Sequence, residues 1–407
     1  MQSTTKPLPA VGSAFLDVLR FSAAIVVFIA HFSHPDYLDH GVYRYNWGVY
    51  AVGIFFVLSG FVIRFITRFR PTTVRSFLTD RLSRIYSVLV PSLLFTLLAT
   101  AILTPQHFAH DLLASIVNFF ALGELWGKEL LPSSNPVYWS LCYECFYYVF
   151  YGIGFFMSGS KRIFWLLAVA LLVGSPILVL LPLWLMGAAV YDLYERLDKT
   201  PERSLKWLAV IGVVASIAAA GAHTLHLQNS ALLLSAKDAG HPLTQFIRDH
   251  HYRPLLRSNP KFYVSGIITS YFVLVVFLLD KSKIDHRAKA IVIIRRIADG
   301  TFALYLFHVP MLMLIRRFIP YSGSSAWQRG LIAIGVISLS VYIQGPLDQL
   351  RAYARRRYEK KPAPVLVKRP APALVWLQEF LPTMKRGVLS LMQSARIPVS
   401  RKHAPTS

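Results

Sequence analysis

Apolar runs of about twenty residues recur along this chain between short polar stretches, and no other feature constrains its fold as strongly. Hydrocarbon offers the backbone no hydrogen-bond partners, so a chain that crosses it repeatedly does so as helices or as a closed barrel. A helix needs about 20 residues to span about 30 Å, whereas a barrel strand needs about 10. The runs therefore predict an all-α fold, a polytopic membrane helix bundle of about ten transmembrane helices. Composition agrees, with 55% hydrophobic residues and a mean hydropathy of +0.47. The formal net charge of +23 would suit nucleic acid if it were spread over a soluble surface. Most of the Lys and Arg instead fall in loops that alternate crossings place on one side, the positive-inside pattern of an inner membrane protein with both termini cytoplasmic. No nucleic-acid partner is expected; membrane lipids are.

The first run, Phe15 to His34, carries Arg20 near one end and His31 near the other. An ionisable group at bilayer depth costs about 2.5 to 3.5 kcal/mol on insertion scales and is usually retained for pairing, binding or catalysis. Eleven residues at about 100° each return His31 to within about 20° of Arg20 on the helix surface, about 16 Å further along the axis. Both then face one cavity at different depths. The run holds an arginine and lacks a small-residue cleavage pattern, so it is read as a retained helix and not as a cleaved signal.

A second span, Trp47 to Phe65, leads into Arg64, Arg68, Arg70, Arg75, Arg81 and Arg84, a stretch with no lysine. Guanidinium forks suit phosphate. The first four of these arginines read as topology determinants and lipid-phosphate contacts. Arg81 and Arg84 sit one turn apart where a third span is expected to begin, so they can share an anion with free helix-start amides. The connection from Thr104 to Pro136 includes an apolar segment, Leu112 to Leu125, expected in the interface. A fourth span, Val137 to Met157, buries Glu144 among aromatics, as an acid, base or orienting partner for His31. Ile163 to Leu193 is too long for one helix and is split near Gly174 to Pro176.

Leu205 to Ala222 forms a further span. The outer loop from His223 to Pro260 carries His223, His226, His241, His250 and His251, which lack carboxylate company at ligand spacing, so no metal site is expected. The two cysteines, Cys142 and Cys145, are too few for a zinc site or a disulfide framework and read as helix-packing residues. Spans at Lys261 to Leu279, Thr301 to Ile319 and Leu331 to Pro346 complete the bundle. In the second of these, Tyr305 and His308 lie about one turn apart. The chain divides into a lead-in at 1–13, a membrane domain at 14–347 and a basic, Pro-rich, largely disordered tail at 348–407.

Basic residues at the inner face and a histidine and a glutamate toward the outer face suit a long ligand with a phosphorylated head and a reactive far end. An acyl-CoA fits, its thioester reaching His31, which either deprotonates an acceptor hydroxyl or takes the acyl group itself. A proton-coupled transporter or flippase of an anionic substrate is the competing expectation, since such carriers also keep His and Glu in membrane helices.

Four segments in order resemble acyltransferase family 3, the transmembrane acyltransferases of bacterial surface glycans. They are Arg20 with His31, the FFVLSG of Phe55 to Gly60, Arg81-Leu-Ser-Arg84, and WSLCYECFYY from Trp139 to Tyr148. The YLFH of Tyr305 to His308 is similar to the family's late helix. The resemblance covers about residues 14 to 347. It implies O-acylation, commonly acetylation, with cytoplasmic acyl-CoA as co-substrate, no permanently bound cofactor, and a glycan or glycolipid acceptor at the outer side of the membrane. It implies His31 as the catalytic histidine, Arg20, Arg81 and Arg84 as donor-site arginines, and Glu144 as the buried acid. Ser59, Gly60, Trp139, Tyr305 and His308 would shape the site. The chain has no appended esterase-like domain, so the membrane domain or a separate partner protein would complete transfer. Thr301 stands where the family more often has serine.

Overall fold

A computed structural model describes residues 7–38, 47–70, 72–198, 212, 253–280 and 284–358. They fall in one compact unit, Met1–Lys368. Among the described residues every regular element is helical: α1 (Ala10–Phe32), α2 (Gly48–Phe69), α3 (Val74–Leu103), α4 (Phe108–Phe119), α5 (Tyr138–Phe156), α6 (Gly159–Val173), α7 (Ser175–Leu197), α8 (Arg253–Leu279), α9 (Lys289–Asp299), α10 (Thr301–Phe318) and α11 (Ala326–Tyr358), with short 3-10 turns at Pro105–His107 and Leu125–Gly127. Among the described residues seven stretches are long and apolar enough to cross a membrane: α1, α2, α3, α7, Lys261–Leu279, Lys289–Phe318 and Ala326–Arg357. The chain is a multi-pass, all-helical membrane bundle. α5 is long enough to span, but its five tyrosines and Glu144 lower its hydropathy. α6, with 15 residues, is short. The predicted span at 205–222 (apart from Gly212), the five loop histidines and the chain after Tyr358 lie outside the described residues.

α2 is the central helix, and its small residues explain why. A Cβ on Gly60 would run into the Trp184 carbonyl of α7, and one on Gly187 into the Val57 carbonyl of α2, so these two glycines let the backbones touch. Gly53 does the same against Phe262 of α8. Around this seam Leu16, Leu58, Phe61, Tyr191, Val273 and Phe277 form a buried core joining α1, α2, α7 and α8. Charges fasten the same interface. Arg64 Nε lies 2.8 Å from Asp192 Oδ1 with both side chains buried, and Arg68 lies 3.0 Å from Glu195. This corrects the reading of Arg64 and Arg68 as lipid contacts. Two acids one turn apart on α7 meet two arginines one turn apart on α2, a pairing between distant segments.

Several ends differ from the sequence expectation. α1 begins at Ala10, where Asp280 Oδ2 accepts from Gly12 N at 2.8 Å and supplies the negative charge that a helix start favours. Arg20 is therefore near the middle of α1. α3 begins at Val74, capped reciprocally by Thr73 and Ser76. Arg81 and Arg84 thus lie well inside α3, where backbone amides are committed to the helix, and no free helix-start amides join them. The apolar segment after Thr104 folds as α4 and then leaves the helix at Phe119. α11 continues through Pro346 to Tyr358, held by the buried Leu347 and by Arg355, 3.3 Å from Asp80 of α3. The expected break near Gly174 is present: Gly174 has φ 77° and separates α6 from α7. Glycine is required there by the positive φ and by Trp126, which occupies the space a side chain would need.

Candidate active site

α1, α2, α3, α5 and α10 enclose a cavity of about 90 Å³ lined by Arg20, Ser59, Arg81, Arg84, Glu144 and Tyr305, with Phe55, Phe56 and Tyr148 on its apolar walls. Three arginines drawn from two helices far apart in sequence converge on it. Arg81 is 6% exposed, its Nε has no hydrogen-bond partner, and its guanidinium lies over the Tyr148 ring, 5.9 Å from the centroid. The Arg84 side chain makes no hydrogen bond or ion pair with a described residue, and Arg20 is 3.7 Å from Asp17, which Arg295 also approaches at 3.8 Å. A buried guanidinium normally has its donors filled, so this set is under-neutralised by its own protein and suited to an anion.

Glu144 is fixed on the arginine side. Its Oε1 accepts from Ser59 Oγ at 2.8 Å and from the Tyr148 hydroxyl one turn along α5, while Trp184 Nε1 donates to Ser59 Oγ at 3.1 Å. The expected pairing of Glu144 with His31 is not formed. The reason is a helix-length effect: Glu144 lies seven residues into α5, about 10 Å from its start. His31 is at the last turn of α1.

His31 instead meets His308, which is fully buried. His308 Nδ1 is 2.9 Å from the Leu304 carbonyl and must donate to it, leaving Nε2 as an acceptor. His31 Nδ1 is 3.0 Å from the Val27 carbonyl and 3.1 Å from His308 Nε2. Only a donor suits both, so His31 carries a hydrogen on Nδ1. In the neutral ring Nε2 then carries the lone pair, and no described residue hydrogen-bonds it. Neither histidine lines the arginine cavity. Tyr305 links the two regions: its ring lines the cavity, its hydroxyl meets Ser140 Oγ at 2.6 Å, and its ring centroid is 6.4 Å from that of His308.

Proline chemistry places His308. Pro310 has no N–H, so the Leu306 carbonyl four residues earlier lacks its helical partner. Ser92 Oγ and Asn135 Nδ2 donate to that carbonyl at 2.9 and 2.8 Å, tying α10 to α3 and to the segment before α5. That segment is itself anchored by Asp111 of α4, which accepts from Ser133 N at 2.7 Å and from Thr100 and Ser134 hydroxyls at 2.8 Å each. Burial raises the Asp111 pKa, but hydrogen bonds from His110, Ser133, Thr100 and Ser134 outweigh it and hold the carboxyl well below the usual range.

The sequence reading missed Tyr148, Ser140, Asn135 and Asp111. Tyr148 carried a usable signal, its four-residue spacing from Glu144, whereas the other contacts join segments too distant to pair by pattern. Trp139 packs edge-on to Tyr143 and Phe262, and Thr301 donates to the Ala298 carbonyl at 2.6 Å from the cavity wall. Among the described residues no three His, Cys, Asp or Glu side chains converge as metal ligands would.

No curated protein and no solved structure matches the chain. The family model described as an acyltransferase domain matches residues 13–345, most of the sequence and all of the helices that build the cavity and the histidine pair. The chain belongs to acyltransferase family 3 and is a membrane acyltransferase.

Proposed function

We propose that the chain moves an acyl group, acetyl first among the candidates, from cytoplasmic acyl-CoA to a hydroxyl of a glycan or glycolipid at the outer side of a bacterial inner membrane, with both termini cytoplasmic. The observation that carries this reading is the convergence of Arg20, Arg81 and Arg84, little neutralised by protein, on a cavity one residue away from a histidine pair. Guanidinium groups suit the phosphates of the donor. The roughly 16 Å of α1 between Arg20 and His31 suits an extended pantetheine arm.

His31 acts as the base. The acceptor O–H gives its proton to His31 Nε2 as its oxygen attacks the thioester carbon; the C–S bond then breaks and the thiolate leaves, protonated in turn by the imidazolium. His308 holds the Nδ1–H of His31 and orients the ring. Glu144 fixes Ser59 and Tyr148 and balances part of the arginine charge. Acyl-CoA is a co-substrate and not a resident cofactor.

The test is transfer of label from acetyl-CoA to a cell-envelope fraction by membranes holding wild type or His31→Ala at matched expression. Labelled glycan or glycolipid with wild type and none with His31→Ala supports the reading. Binding of acetyl-CoA without label in any fraction overturns the acetyl group or the acceptor, and no binding of any acyl-CoA overturns the donor and leaves a transporter of another anion.

A further inference from the structure

A second cavity, of about 100 Å³, adjoins the first and is lined by Arg20, Arg84, Asp299, Gln344, Asp348 and Arg351 among others. The two share Arg20, Arg84, Thr301 and Phe302 in their walls and so form one polar tract. Arg351 stands beyond residue 345, where the family match ends, on the part of α11 that runs past Pro346.

Resting on the donor reading above, we infer that Arg351 is a phosphate ligand for the acyl donor, and that the second cavity is a phosphate subsite closed by α11. Arg351 is partly buried and makes no hydrogen bond or ion pair with a described residue. Gln344, on the same face of α11 two turns earlier, is 7% exposed and its Oε1 has no partner, while its Nε2 donates to Asp348 Oδ1 at 2.9 Å. A buried amide with an unfilled acceptor marks a place where a hydroxyl or water joins a ligand. Asp299 and Asp348 are exposed residues, whereas Arg20, Arg84 and Arg351 are partly buried, so three guanidiniums face two carboxylates across this cavity. The cavity has room for several waters and so for a phosphate group. Coenzyme A offers two sources of that chemistry, the ribose phosphate and the diphosphate.

The experiment uses the full chain in detergent and measures binding of coenzyme A, dephospho-coenzyme A and S-acetylpantetheine to wild type, Arg351→Gln, Arg351→Lys and Arg81→Gln, with a thermal melt of each. One charge-assisted phosphate contact corresponds to about tenfold to a hundredfold in Kd. Arg351→Gln is expected to weaken coenzyme A by that factor, to leave S-acetylpantetheine unchanged, and to be partly rescued in Arg351→Lys. If dephospho-coenzyme A also weakens, the diphosphate is the partner; if it binds both proteins equally, the ribose phosphate is. Coenzyme A affinity unchanged in Arg351→Gln but lost in Arg81→Gln overturns the inference and leaves the donor reading standing. No binding of coenzyme A by wild type overturns both.

Discussion

The buried pair of Arg64 and Asp192 permits a prediction that is independent of the reaction. Their side chains are 3% and 2% exposed, and Arg64 also reaches the Tyr151 hydroxyl at 3.5 Å. Removing one member leaves the other charge in a dry helix interface, and such losses cost about 3 to 5 kcal/mol. Asp192→Ala and Arg64→Ala should each destabilise by that amount, while the double replacement, which leaves no orphan charge, should cost less than either. The Arg68 and Glu195 pair, 21% and 22% exposed, sets the contrast: solvent screens it, and Arg68→Ala should cost about 1 kcal/mol or less. Equilibrium unfolding in mixed micelles across the full double-mutant cycle gives the coupling directly. If the two single costs simply add, or if each falls below about 1 kcal/mol, α2 and α7 are not held together by this pair and the reasoning fails.

Four further outcomes follow from particular residues. Gly60→Ala drives a methyl group into a backbone carbonyl and should cost about 1 to 3 kcal/mol in the same unfolding assay. Gly152→Ala, whose new Cβ would meet only the Phe77 ring at 3.5 Å, should be neutral or stabilise by up to about 1 kcal/mol through helix propensity. Glu124, buried in the connection before α5 and near Glu129, has its carboxyl pushed up to about 8 by burial and then by that neighbour. Because the folded state holds this proton more tightly than the unfolded state, wild type should lose stability relative to Glu124→Gln as pH rises from about 4.5 to about 8 and show no further loss above it. His308→Phe removes one neutral hydrogen bond to His31 while keeping the ring volume, so kcat should fall about 3- to 10-fold with the donor KM unchanged; a loss as complete as that of His31→Ala would place His308 in proton transfer itself.

The helical class and the break at Gly174 were legible because apolar run length and a Gly-Ser-Pro step act locally. The three arginines were legible as candidates because charge within or beside an apolar run is costly enough to demand a reason. What the sequence did not reveal is which partner each polar group finds. Arg64 looked like a loop cation because Asp192 lies 128 residues away. Glu144 looked like a partner for His31 because depth was counted from span ends, and α1 begins five residues before the apolar run does. The histidine pair was invisible for the same reason: a contact between residues 277 apart follows from how α1 and α10 pack, and no spacing rule encodes it.

The glycine seam on α2 also decides how one wall of the site is fixed. Backbone contact at Gly53 and Gly60, with a buried ion pair at the far end, makes α2, α7 and α8 a stator, since any slide of α2 would drive carbonyls into each other or strand a charge. α11 is built in the opposite manner. Gly330, Gly335 and Gly345 have open space where a side chain would stand, and Leu331, Ile334 and Tyr342 are mostly exposed. Its inner face is still held, with Val341 filling the space beside Gly300 and Arg355 meeting Asp80. The α2 wall of the site is therefore fixed by backbone against backbone, and the α11 wall by side chains.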